Sequence, residues 1–167
     1  MKKLLIALVV VAVASVASAE VIATWTFPVS SLASANADSQ NANFAGTLEL
    51  TRGTGAPAST GAGFRTTGFQ NDGINVANTD YYQIVMQAAS GYQLSLTGIS
   101  AAFLGTSTFS VSPGVSHQWG YSFDDSSYTL IGTAQSRIGN GTAMFDFSGT
   151  SALQNVAASE TVYLRYY

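Results

Sequence analysis

The 167-residue chain has six lysines and arginines, nine acids, one histidine and no cysteine, a net charge of −3. Without thiols there is no disulfide, no thiolate metal site and no cysteine nucleophile. Without a basic patch nothing neutralises a run of phosphates, which argues against nucleic-acid binding and against electrostatic docking on anionic lipid.

The chain opens with MKKLLIALVVVAVASVASA, which has the three parts of a secretory signal. Lys2 and Lys3 form a positive start, Leu4 to Val13 an uninterrupted apolar run, and Ala17-Ser18-Ala19 the small residues a signal peptidase inspects. Cleavage is expected between Ala19 and Glu20. As an uncleaved anchor the apolar run is short, because a bilayer span needs about 20 apolar residues. The short positive start and the alanine-rich end have a bacterial look. Residues 20–167 are then one domain's length, with four arginines against nine acids and a net charge of −5. They are rich in Ser, Thr, Gly, Ala and Asn and very poor in Lys and Glu, a composition that favours strands and turns over helices.

In Val21 to Phe27 (VIATWTF), Val21, Ala23, Trp25 and Phe27 share one face, which predicts a first strand stopped by Pro28. Ser30 to Asn43 is small and polar without a period and reads as a loop. Ala45 to Thr51 predicts a short strand. Arg52 to Gly68 is rich in Gly, Ala and Thr and reads as a long loop. Asn71 to Asp80 is turn chemistry.

From here the alternation sharpens. Tyr82, Ile84 and Met86 fall on one face, and after the Ser90-Gly91 turn so do Tyr92, Leu94 and Leu96. A change of phase near Gly98, as at a bulge, brings Ile99, Ala101 and Phe103 inward. Val115 to Phe123 aligns His117, Trp119, Tyr121 and Phe123; Tyr128 and Leu130 resume after a bend. Ala143, Phe145 and Phe147 form another set, and Val162, Leu164 and Tyr166 the last. Gly149 to Val156 is the one helical turn. Short strands at roughly even spacing with turns between them predict one all-β domain over residues 20–167, an antiparallel β-sandwich.

Asp124 and Asp125 are the only adjacent acids. A catalytic carboxylate pair is usually built from separate elements facing one cleft, whereas neighbours in a strand point to opposite faces. With Ser126-Ser127 following, the pair reads as a hairpin tip, with calcium ligation as the alternative. The other acids offer a second candidate calcium site: Asp72 and Asp80 of the turn-rich loop, joined to Glu20 or Asp146. The bland reading of that loop is an Asx-rich turn. His117 has no G-x-S-x-G partner, so a partly buried structural histidine is favoured over a general base. Asn140-Gly141-Thr142 matches a glycosylation sequon and equally a turn. Tyr81, Tyr163 and Tyr167 fall opposite the presumed core face and are candidate sugar-stacking rings, or else rings partly covered near a sheet edge. No catalytic residue and no cofactor other than structural calcium emerges.

The order ATWTF, YYQIVMQAASGYQLSLTGIS, YSFDDSSYTLIG, FDFSGTSALQN and VYLRYY resembles secreted bacterial β-sandwich modules, of the kind found in PEP-CTERM sorting-domain proteins and extracellular hydrolases. The likeness spans nearly the whole of residues 20–167, leaving out Arg52 to Gly68. It implies a jelly-roll-like sandwich similar to carbohydrate-binding modules, with no catalytic residue to carry over. Such modules continue past a strand like VYLRYY with another strand, often holding an I-D-N-V-type run, so on this likeness the domain reads as truncated at Tyr167. The terminal P-E-P motif, apolar helix and basic tail are not in the sequence. The expectation is a non-catalytic module, secreted or on the cell surface, that contacts polysaccharide or extracellular matrix and does not insert in the membrane. The alternative is the accessory module of a larger secreted hydrolase whose catalytic domain lies outside this chain.

Overall fold

Alternation in the second half of the chain becomes β-structure at nearly every place where it was legible. A computed structural model describes residues 20–27, 32–61, 63–70, 72–104 and 111–167; the secretory segment, the Pro28 stop and Asn71 lie outside them. Among the described residues the regular structure is β, apart from one 3₁₀ turn at Ser151–Leu153, and the strand pairs are antiparallel. The strands are β1 (Ala23–Thr24), β2 (Ala35–Asn36), β3 (Ser39–Gln40), β4 (Glu49–Arg52), β5 (Tyr82–Met86), β6 (Gln93–Leu94) and β7 (Gly98–Phe103). They continue as β8 (Val115–His117), β9 (Trp119–Ser122), β10 (Thr129–Leu130), β11 (Gln135–Arg137), β12 (Gly141–Asp146), β13 (Val156–Ala157) and β14 (Val162–Tyr166).

Six of them form the main sheet in the order β10-β9-β14-β5-β4-β2, and β7 pairs with β12, β8 with β11, β6 with β13 and β1 with β3. The register lines up the inner face of the main sheet in transverse rows. Leu50, Ile84 and Leu164 are partners across β4, β5 and β14; Tyr82, Tyr166 and Trp119 are partners across β5, β14 and β9. These rows pack against Ile99, Phe103 and Phe145 of the β7–β12 pair, with Leu94, Phe147 and Leu153 closing the core. The fold is thus an all-β antiparallel sandwich.

At Gly98, near which the phase changes, the space is closed by the partner strand. A Cβ there would meet the Phe145 carbonyl oxygen of the partner strand at 2.3 Å, so the close β7–β12 approach requires glycine. Elsewhere the chain departs from its pattern. Val21 to Phe27 supplies only the two residues of β1, and Val21 is exposed. The expected loop from Ser30 to Asn43 contains β2 and β3. Two-residue strands are too short to show a period, and backbone bonds such as Asp38 N–H to Thr24 O (2.8 Å) build them. Within the expected loop from Arg52 to Gly68, Arg52 still belongs to β4, Ala58 bridges Thr66, and Ala56 and Phe64 are buried. Tyr92, expected inward with Leu94, is half-exposed.

Val115 to Phe123 reads as one strand, but it breaks at Gln118. There the chain leaves β8 for β9 and the main sheet. Gln118 exchanges both backbone hydrogen bonds with Tyr167, each 3.0 Å, and its amide nitrogen donates to Ile131 O and Gly132 O. His117 and Trp119 on either side are both buried.

His117 is 2 % exposed, edge-on to Phe103 and Phe145, with Nδ1 2.8 Å from the Tyr166 hydroxyl. Burial, helped by the Arg137 guanidinium, lowers its pKa below the ordinary 6.5. Below about pH 6.5 the unfolded chain therefore gains a proton that the folded chain resists. Stability is full above that pH and falls below it, by up to about 1.4 kcal/mol per pH unit. Thermal melts between pH 8 and 5 are expected to show the midpoint dropping below pH 6.5 in the native protein and staying level in His117→Gln. Parallel curves for the two proteins would contradict the assignment.

Candidate functional site

The opposite face of the main sheet carries the alternate residues of the same strands. On β14 these are Tyr163 and Arg165, followed by Tyr167; on β5 they are Gln83 and Val85, preceded by Tyr81. Gly120 and Ser122 of β9 stand opposite Arg165 and Tyr163, and Thr51 of β4 stands opposite Gln83.

Arg165 organises this face. Its Nε donates to Gln83 Oε1 at 2.6 Å and its terminal nitrogen pairs with Asp125 Oδ1 at 2.9 Å. The guanidinium carbon lies 3.8 Å from the Tyr81 ring centroid and 3.9 Å from that of Tyr128, so the cation is held between two aromatic faces. The Tyr128 hydroxyl donates to the same Asp125 oxygen at 2.5 Å and lies 3.0 Å from Gln83 Oε1. Burial and the bond to Asp125 raise the Tyr128 pKa, so this phenol stays protonated.

The two adjacent aspartates divide their work. Asp124 builds the bend between β9 and β10: its Oδ1 accepts the amides of Ser126 (2.9 Å) and Ser127 (2.7 Å) and the Ser122 hydroxyl (2.8 Å). Those donors hold its carboxyl well below the usual carboxylate range. Asp125 adopts a positive φ of 57° at the tip and reaches back to Arg165. The hairpin reading accounts for Asp124. The role of Asp125 was not legible, because its partner is 40 residues away.

Of the three candidate stacking tyrosines, Tyr81 and Tyr163 are half-buried on the outer face, and one face of the Tyr81 ring lies against Arg165. Tyr167 is a correction: it is 6 % exposed. It packs edge-on to Tyr81 and over Gly120, where a Cβ would come 3.4 Å from its ring, and its hydroxyl donates to Val76 O at 3.3 Å. The missing side chain at Gly120 and the loop before Tyr81 take in a ring that alternation alone places at the surface.

The candidate calcium ligands do not assemble. Among the described residues no three His, Asp or Glu side chains converge on a point that could hold a metal ion. Asp80 is buried and accepts the Gln70 amide at 2.8 Å; Asp146 accepts the Ser148 amide at 2.8 Å. Glu20 accepts from Asn41, and Asp72 lies 3.5 Å from the Asn78 amide nitrogen that also donates to Gly73 O. Each carboxylate serves its own turn or loop. Asn140 sits in the turn that enters β12.

Beside the Arg165 network lies a cleft of about 280 Å³, lined by residues 45–49 and by Thr51, Val85, Gln87 and Thr161. It combines the apolar side chain of Val85 with hydroxyl, amide and carboxylate groups. No family model matches the chain, and no curated protein or solved structure matches it.

Proposed function

We propose that the protein is an exported, non-catalytic β-sandwich module that binds polysaccharide at the cell exterior through the outer face of its main sheet. The observation that carries this reading is the half-buried Tyr163 ring, whose strand partner Val85 lines a shallow polar cleft, on a face that the Arg165 network ties together. An aromatic ring on a sheet contacts the apolar face of a sugar at little conformational cost, and neighbouring amides and hydroxyls take its hydroxyl groups. The secretory pattern of residues 1–19 supports export. A non-catalytic role is supported by the sole histidine lying in the core against Tyr166 and by Asp124 being spent on its turn.

Co-sedimentation with insoluble glycans tests the reading. The purified protein is expected to be retained, and Tyr163→Ala to weaken retention about tenfold, the effect of losing roughly 1.4 kcal/mol of stacking. A protein that no glycan retains would remove the proposal. Mass measurement of the exported form checks the other half, with Glu20 expected as its first residue.

A further inference from the structure

The cleft lining holds one charged group, Glu49, and among the described residues no ion pair involves it. Tyr163 is the partner of Val85, and Glu49 lies one residue beyond the Leu50–Ile84 pair that ends the β4–β5 ladder, past which the register shifts by two residues to the Phe44–Ala88 bridge. Tyr163, Val85 and Glu49 therefore fall on the three neighbouring strands β14, β5 and β4. At the usual strand spacing those three strands span about 10 Å, a reach that suits a short run of linked sugar rings. Val85 and Glu49 line the cleft, with Thr51, Gln87 and Thr161 around them.

Glu49 is half-buried and is the only ionisable residue in that lining. The arginines are committed elsewhere. Arg165 pairs with Asp125, Arg52 lies over Phe64, and Arg65 and Arg137 bond backbone carbonyls. A cleft whose single ionisable lining residue is a carboxylate with no ion pair among the described residues, on a chain of net charge −5 once the signal is removed, disfavours anionic polymers. The same carboxylate is a strong acceptor for hydroxyl protons.

We propose that this cleft is a subsite for a neutral glycan chain and that Glu49 sets the choice, accepting sugar hydroxyls and turning away chains that carry uronate groups. Tyr163 stacks on one ring, Val85 supports its apolar face, and Thr51 and Gln87 supply further hydrogen bonds. Specificity of this kind is a difference of affinities, made here as much by repulsion as by attraction. The inference rests on the polysaccharide-binding reading above.

Affinity electrophoresis of the full chain through gels containing hydroxyethylcellulose or polygalacturonate separates the two ideas. The native protein is expected to be retarded by the neutral polymer and to pass the polyuronate unhindered. Glu49→Gln, nearly the same shape, is expected to lose about threefold in neutral-glycan binding. Glu49→Lys is expected to lose about tenfold there and to gain retardation by polygalacturonate that salt abolishes. Thermal midpoints of both variants report on folding, and Glu49→Gln keeps the test valid if Glu49→Lys unfolds. Equal retardation of the native protein by both polymers overturns the subsite, as does a glycan response unchanged in both Glu49 variants; polysaccharide binding through Tyr163 survives either result. No retardation by any glycan overturns the polysaccharide reading itself.

Discussion

Phe147→Ala is expected to lower the stability of the fold by about 4 kcal/mol, a large fraction of what holds a single domain folded. The ring is 1 % exposed and lies edge-on to Trp119, with centroids 6.2 Å apart. The backbone around it is pinned independently. Phe147 N–H donates to Thr97 O, and its carbonyl accepts from Thr150 and from the Gln154 side chain. The walls therefore cannot collapse freely into the space left by the ring, and the cavity cost adds to the lost transfer energy. Urea unfolding followed by tryptophan fluorescence measures this, with the midpoint falling and the slope unchanged. A loss below about 1.5 kcal/mol, the level of a well-tolerated swap, would place the centre of the core elsewhere.

Arg165→Ala is expected to cost about 3 kcal/mol and to lower the thermal midpoint by about 10 °C. The arginine side chain is 13 % exposed, so little of its interaction is lost to solvent, whereas Asp125 at 43 % is well solvated. Truncation removes the bonds to Gln83 and Asp125 and both ring contacts, and leaves only the Tyr128 hydroxyl beside the two oxygens that Arg165 had held. Arg165→Lys should recover only about a third of the loss. An ammonium keeps the charge but has neither the planar face to lie between Tyr81 and Tyr128 nor the fork to reach Gln83 and Asp125 together. Asp125→Ala, which removes only the exposed half of the pair, should cost about 1 kcal/mol or less. If lysine restores full stability, the contribution is charge alone and the stacked geometry is incidental.

The inner face of the sandwich is carried by local pattern. Tyr82, Ile84 and Met86, then Val162, Leu164 and Tyr166, alternate because a strand buried on one face must repeat every two residues, and that period is visible in any short window. The same reasoning placed Phe145 and Phe147 inward and marked Gly98 as a point where the phase shifts. It located the helical turn that becomes Ser151–Leu153 and the bend at Asp124, whose short side chain finds its donors within three residues. Composition likewise bore on thiol chemistry and phosphate binding without any coordinates.

What local pattern could not reach depends on contacts between distant residues. β2 and β3 exist because Ala35 and Asn36 meet Leu50 and Glu49, and Ser39 and Gln40 meet Thr24 and Ala23; a two-residue strand has no period to announce this. The break at Gln118 follows from its backbone exchange with Tyr167, 49 residues away. Tyr167 is buried because Gly120 and the Val76 carbonyl happen to receive it. Asp125, Gln83 and Arg165 converge only when β5, β14 and the β9–β10 bend come side by side. Alternation, turn residues and composition thus settle the class of fold and which face of most strands is wet. Which wet residues meet across the sheet, and so where its cleft lies, is decided by strand order and register, which are properties of pairing over long sequence separation and leave no trace in a local window.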